Sequence, residues 1–306
     1  MRPYSASTSY LAVEIRGTLV PRIVRTGDGR DLAVEVRGHP LGKPVFLLHG
    51  TPGSRLGPVP RSGLLYRLGV RLITFDRPGY GRSDRLPGRR VADAAADVVA
   101  VADELGVDAF AVVGRSGGGP HALACAALLP DRATRVAVLV GLAPRTARDL
   151  DWYAGMAGSN VREHVRAEAA RQSLAAGLEH RSRQIRENPA ALIAQLDPEL
   201  AEPDRKVVAD AGIRAILVRN YAEALRLSAH GWIDDTLAFG KGWGFGLSRI
   251  SVPVLLWHGE DDVFSPVEHT RWLAERIPSA TVVIQPGAAH FDALPLLPEV
   301  LCWAIR

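Results

Sequence analysis

Cysteine is nearly absent from this chain of 306 residues: Cys125 and Cys302 are its two, far apart and each in an apolar setting (ALACAALL and VLCWAI). That pattern suits small core residues in a reducing compartment and excludes a disulfide framework or a cysteine-based metal site. Long apolar runs are missing as well. The longest candidate, residues 136–143, stops at Pro144 and Arg145, well short of the roughly 18 residues of a membrane span. Behind Arg2 no apolar stretch of a secretory leader can be read, so a cytoplasmic protein is expected. The charge is not lopsided either: 37 Lys and Arg against 33 Asp and Glu leave +4, with the arginines scattered among acids. No nucleic-acid partner is expected from such a distribution, and the clusters at 85–90 and 181–186 are read as solvated loops or helix faces.

What is present is enough apolar material for a folded body, 47% hydrophobic and 23% charged, with a mean hydropathy of +0.04. Short β-rich runs occupy residues 19–24, 32–36, 45–48 and 70–75. From there strands alternate with amphipathic stretches: a helix over 91–105, a strand over 109–114, a helix over 120–129 and a strand over 135–140. This alternation predicts an α/β fold with a mostly parallel sheet and helices on both faces. Residues 145–248 read as charged helical patterns broken at Pro189, Pro198 and Pro203. Strand patterning returns at 252–257, followed by a helix over 267–276, a strand over 280–284 and a closing helix from about Phe291. The expected organisation is therefore a core of 1–144 and 249–306 with a helical insertion, 145–248, after the sixth strand.

VVGRSGGGPHALA (112–124) puts Ser116 between glycines where a strand passes into a helix, the setting of a nucleophile elbow. Upstream, VFLLHGTPGS (45–54) runs from a strand into a glycine-rich loop. A tetrahedral oxyanion needs two preorganised N–H donors, and Thr51 with Gly117 are the candidates. Downstream, LLWHGEDDVFSP (255–266) ends a strand in a carboxylate cluster, and IQPGAAHFDAL (284–294) ends the next in His290. A serine needs a general base, and the base needs a carboxylate to orient it. Arg115, charged and beside the serine, is read either as a group for an anion or as a solvated or salt-bridged residue. His49, His121, His258 and His269 are read as structural.

HGTPGS, FDRPGYGRSD (75–84), GRSGG and the GEDD…AAH pair together resemble the serine-dependent α/β-hydrolase superfamily, over nearly the whole chain. The resemblance implies the α/β-hydrolase fold and selects Asp262 as the triad acid over Asp261 and Glu260, with Asp149 or Asp151 as the fallback after the sixth strand. It implies no metal and no organic cofactor, and makes the helical insertion a lid, with Trp152, Met156 and Trp232 expected at the pocket. The implied activity is a serine hydrolase acting through an acyl-enzyme on a mainly apolar small-molecule carboxylic ester. Amidase or proline iminopeptidase-like and C–C bond hydrolase activities share that triad, and a noncatalytic ligand receptor shares the fold.

Overall fold

The central strands are apolar on both sides because both sides are covered. The computed structural model describes residues 21–306, and among them eight strands form one sheet: β1 Arg22–Arg25, β2 Asp31–Gly38, β3 Lys43–Leu48, β4 Val70–Phe75, β5 Phe110–Arg115, β6 Ala133–Leu139, β7 Val254–Gly259 and β8 Ala280–Gln285. Their order is β1-β2-β4-β3-β5-β6-β7-β8, with β1 and β2 antiparallel to their neighbours and the rest parallel. Side chains alternate across the sheet, as the two-residue period of a strand requires. Phe46, Leu48 and Val112 pack with helices α2 (Ala94–Glu104) and α3 (Gly118–Leu128). Val45, Leu47, Ala111 and Val113 pack on the opposite face with Leu65 of α1 (Ser62–Arg67) and Leu297 and Leu301 of α11 (Leu297–Ala304). Each such side chain, fully buried, contributes about 1.5–3 kcal/mol.

Between β6 and β7 lie six helices: α4 Gly158–Ala169, α5 Arg171–Glu187, α6 Ala191–Leu196, α7 Glu202–Ala209, α8 Ala211–Ala224 and α9 His230–Phe239. They hold an apolar cluster of their own, including Leu174, Leu178, Ile185, Leu217 and Ile233, which continues onto Tyr80, Phe264 and Phe291 of the sheet body. Asp210 caps α8 by accepting the Ile213 N–H at 2.8 Å. After β7 comes α10 (Glu268–Ala274).

The structure departs from the sequence reading at several points. Residues 1–20, including the start of the first expected strand, lie outside the described residues. α1 was not expected. The closing helix starts at Leu297 and not near Phe291, where a single 3-10 turn, Phe291–Ala293, precedes Pro295; Pro298 then sits in the helix's first turn, where its missing N–H is harmless. The arginine clusters are not simply solvated: Arg89 is buried against Asp235, and Arg181 turns toward a cavity. Both cysteines are free thiols, Cys125 being fully buried. Among the described residues no helix is long and apolar enough to cross a membrane, and no metal-holding group of three or more His, Cys, Asp or Glu occurs.

Candidate active site

Ser116 stands between β5 and α3 with a φ of 53°, a left-handed conformation that costs a non-glycine residue on the order of 1–2 kcal/mol. Two hydrogen bonds hold it there: its N–H donates to Leu139 O and its carbonyl accepts the Gly119 N–H, each at 2.8 Å. The turn also demands close approach. A Cβ on Gly118 would collide with the carbonyl oxygen of Leu48, and one on Gly117 would collide with Thr51 Oγ1, so these positions exclude any larger residue. The second contact places Thr51 beside Gly117. Among the described residues neither backbone N–H is spent on an acceptor of the protein.

Asp262 follows β7 and His290 follows β8, so the parallel sheet brings both to the edge where β5 ends. His290 Nδ1–H donates to Asp262 Oδ2 at 2.8 Å, which leaves Nε2 to act on the cavity. The other carboxylate oxygen, Oδ1, accepts the N–H groups of Phe264 (2.8 Å) and Ser265 (3.0 Å). Burial opposes ionisation of Asp262, but the charges and hydrogen bonds of His290 and His258 outweigh it and hold the carboxyl far below its usual range. His258 itself donates Nε2–H to Ser265 O at 2.5 Å and bonds Thr270 Oγ1 through Nδ1, a support beneath the acid. Asp149 and Asp151 make no contact with His290 among the described residues; Asp151 instead accepts the Tyr153 N–H.

Ser116, Thr51, Gly117 and His290 line one cavity of about 100 Å3. No direct hydrogen bond joins Ser116 to His290 among the described residues, a looseness common in sites without substrate. Trp232 lines the cavity and donates Nε1–H to Glu163 Oε1 at 2.8 Å. Trp152 and Met156, expected there, are elsewhere. Trp152 is buried edge-on against His164 and His269 and bonds Ala143 O at 3.0 Å, and Met156 packs in the same core layer. Both follow β6 closely and are drawn into the crevice between the sheet and the helices. The cavity expected to take a mainly apolar substrate carries polar groups in its wall: beside Leu142, Leu192, Phe239 and Phe264 stand Arg115, Arg181, Glu163 and Tyr221. Charges that look solvent-bound in a helical pattern point inward here.

The group that fixes the loop at residues 49–51 is one that nothing in the motifs marks out. Arg77 lies in FDRPGYGRSD, 1% exposed, and donates to the carbonyls of His49 and Gly50 and to Thr51 Oγ1. Its counter-ion is Asp235 of α9, 2.6 Å away and fully buried, which also pairs with Arg89 (2.6 Å) and accepts from Tyr80 Oη (2.8 Å) and Thr51 Oγ1 (2.7 Å). Burial works against this carboxylate, yet Arg77 and Arg89 keep its pKa well below the ordinary value. His49 accepts the Arg77 N–H at Nε2 and donates Nδ1–H to Gly50 O, holding its own loop; burial pushes its pKa well down, so it stays neutral. The sequence shows only a pair of acids, Asp234 and Asp235, within HGWIDDTLAF, which does not tell a buried ion pair from a solvated one.

Residues 43–295 match the alpha/beta hydrolase fold family, and the chain belongs to it; it is an α/β-hydrolase. Its relatives carry several chemistries. It is 32% identical over 262 residues to a pimeloyl-[acyl-carrier protein] methyl ester esterase of Chromobacterium violaceum, covering 85% of this chain and 91% of that one. It is 26% identical to a proline iminopeptidase of Neisseria gonorrhoeae, covering 89% and 90%. Among solved structures, an alpha/beta hydrolase fold protein from Nakamurella multipartita superposes with a TM-score of 0.66 at 23% identity, over 94% of this chain and 99% of that one.

Proposed function

We propose that this protein is a serine hydrolase that cleaves a small-molecule carboxylic ester through an acyl-enzyme. The observation that carries the reading is the 2.8 Å Asp262–His290 bond beside a cavity that also receives Ser116. In this reading Ser116 Oγ attacks the ester carbonyl and His290 Nε2 takes its proton. Thr51 and Gly117 N–H groups receive the oxyanion, and His290 returns the proton to the leaving alcohol. Water then repeats the sequence on the acyl-enzyme. Segment 145–248 acts as the lid, since Glu163, Arg181, Leu192, Tyr221 and Trp232 all belong to it and line the cavity. The esterase relative supports the choice of ester.

Aminopeptidase chemistry is the second reading, because Glu163 offers a carboxylate on the cavity wall to a substrate ammonium. Its Oε1 is already taken by Trp232 Nε1 and Thr236 Oγ1, each at 2.8 Å, and two arginines oppose it, so the ester reading ranks first. Fluorophosphonate treatment followed by mass spectrometry is the direct test: the adduct is expected on Ser116. Full activity in Ser116→Ala would end the reading, and a panel of acyl esters beside amino-acid anilides separates the two chemistries.

A further inference from the structure

Arg115 has no part in the hydrolytic steps, yet it occupies the position next to the nucleophile. Its guanidinium lies 5.4 Å from the Phe291 ring centre, in the wall of the Ser116 cavity. Nε is buried without a partner, and among the described residues Arg115 makes no hydrogen bond or ion pair at all. Arg115 is half-buried, and the fully buried arginines behave differently: Arg55, Arg77 and Arg89 each have a carboxylate within 2.5–2.6 Å. Burial drags the Arg115 pKa down, opposed from a distance by Tyr221, Asp204 and Asp262. No carboxylate bonds this guanidinium directly, and its planar fork matches one.

The surroundings are donors too. Tyr221 of α8 is buried, lines the same cavity, and its hydroxyl bonds no described residue. Arg181 of α5 lines it as well, with Nε donating to Gln195 Oε1 at 2.8 Å and NH1 only 3.9 Å from Glu163 Oε2. Glu163 is thus the one carboxylate among the residues lining the cavity, set against the guanidinium groups of Arg115 and Arg181, while Asp204 acts on Arg115 only from a distance.

We propose that the substrate is an ester bearing a free carboxylate, held by Arg115 with Tyr221 donating its hydroxyl while the scissile carbonyl lies at Ser116. This rests on the serine-hydrolase reading above. Arg115 and Ser116 line the same cavity, and a Cβ placed on Gly50 would lie 3.4 Å from Ser116 Cβ and 3.6 Å from Arg115 NH1, so the anion and the reacting carbonyl are close. A short dicarboxylic monoester fits, or a small ester with the carboxylate on its alcohol. The acyl–oxygen bond breaks, the acyl group passes to Ser116 Oγ, the alcohol leaves with the proton taken from that serine, and the free carboxylate is unchanged.

The test uses two pairs of esters alike in skeleton whose members differ in charge. One is mono-4-nitrophenyl glutarate against its methyl ester; the other is 4-acetoxybenzoate against its methyl ester, with uncatalysed release subtracted. The wild type should prefer the anionic member of at least one pair by about tenfold or more in kcat/KM, and the pair that responds tells which side of the ester carries the charge. Arg115→Met should lower that anionic-to-neutral ratio on the order of 10- to 100-fold, and Tyr221→Phe several-fold. No preference in either pair, or a preference that survives Arg115→Met, overturns the proposal. Should that variant fail to fold, Tyr221→Phe and wild-type binding decide: glutarate must raise the melting temperature and 1,5-pentanediol must not. Turnover of neutral esters with labelling at Ser116 but no charge preference sinks the carboxylate site alone. No turnover of any ester and no label at Ser116 sinks the serine-hydrolase reading, while glutarate binding still judges the anion site.

Discussion

Arg77 on the loop after β4 and Asp235 on α9 meet at 2.6 Å, 1% and 0% exposed, and through this pair a helix between β6 and β7 holds the loop at Gly50 and Thr51. Removing one partner leaves Arg77 and Arg89 as buried charges with nothing opposite them. Asp235→Ala should therefore cost about 3–5 kcal/mol in urea unfolding and slow fluorophosphonate labelling of Ser116. A loss below about 1 kcal/mol would show that the pair does not hold the loop.

Asp262→Asn keeps an oxygen for the Phe264 and Ser265 N–H groups but loses the charge that fixes His290. Turnover should fall by about 10⁴-fold with the circular dichroism spectrum unchanged. Near wild-type turnover in Asp262→Asn with loss in Asp149→Asn would move the acid to the loop after β6.

Asp204 of α7 accepts the Phe291 N–H at 2.6 Å, but its Oδ2 is buried without a partner, and burial pushes its pKa up to about 6 against the opposing pull of His290. In the unfolded chain an aspartate titrates near 3.9, so between these values the folded protein binds the proton more tightly. Acidification from pH 7 to pH 4 should stabilise the wild type relative to Asp204→Asn by about 2 kcal/mol. Equilibrium unfolding of both proteins at the two pH values checks this, and a gap that does not change with pH contradicts it.

Trp152 and Trp232 should separate stability from selectivity. Trp152→Ala is expected to cost about 3–5 kcal/mol, because it empties a buried site between His164 and His269. Trp232→Ala should shift the ratio of kcat/KM between short and bulky esters, because Trp232 both lines the cavity and positions Glu163. The reverse assignment of effects would move the selective wall to the β6 side.

The sheet was legible in sequence because buried parallel strands read as short continuous apolar runs, as at residues 45–48 and 109–114. Ser116 was singled out by the strand-to-helix turn it occupies and His290 by the loop after the last strand, whereas Asp262 was chosen over Glu260 and Asp261 only through the family resemblance; the structure brings Asp262 and His290 into a 2.8 Å bond. Asp235 was not legible, since its partners Arg77 and Arg89 lie far away in the chain and nothing local distinguishes a buried ion pair from a solvated one. Periodicity likewise reports that Trp152 and Trp232 are apolar, but not which cavity or crevice each one faces.

The Arg77–Asp235 pair also constrains how the chain can be recombined. The loop carrying Arg77 and the helix carrying Asp235 form one structural unit, although they belong to different parts of the chain. A chimera receiving segment 145–248 from a relative without an acid at this place would strand a bare cation under the loop after β3. Exchange of specificity by swapping the whole insertion therefore requires that this one aspartate be carried across with it.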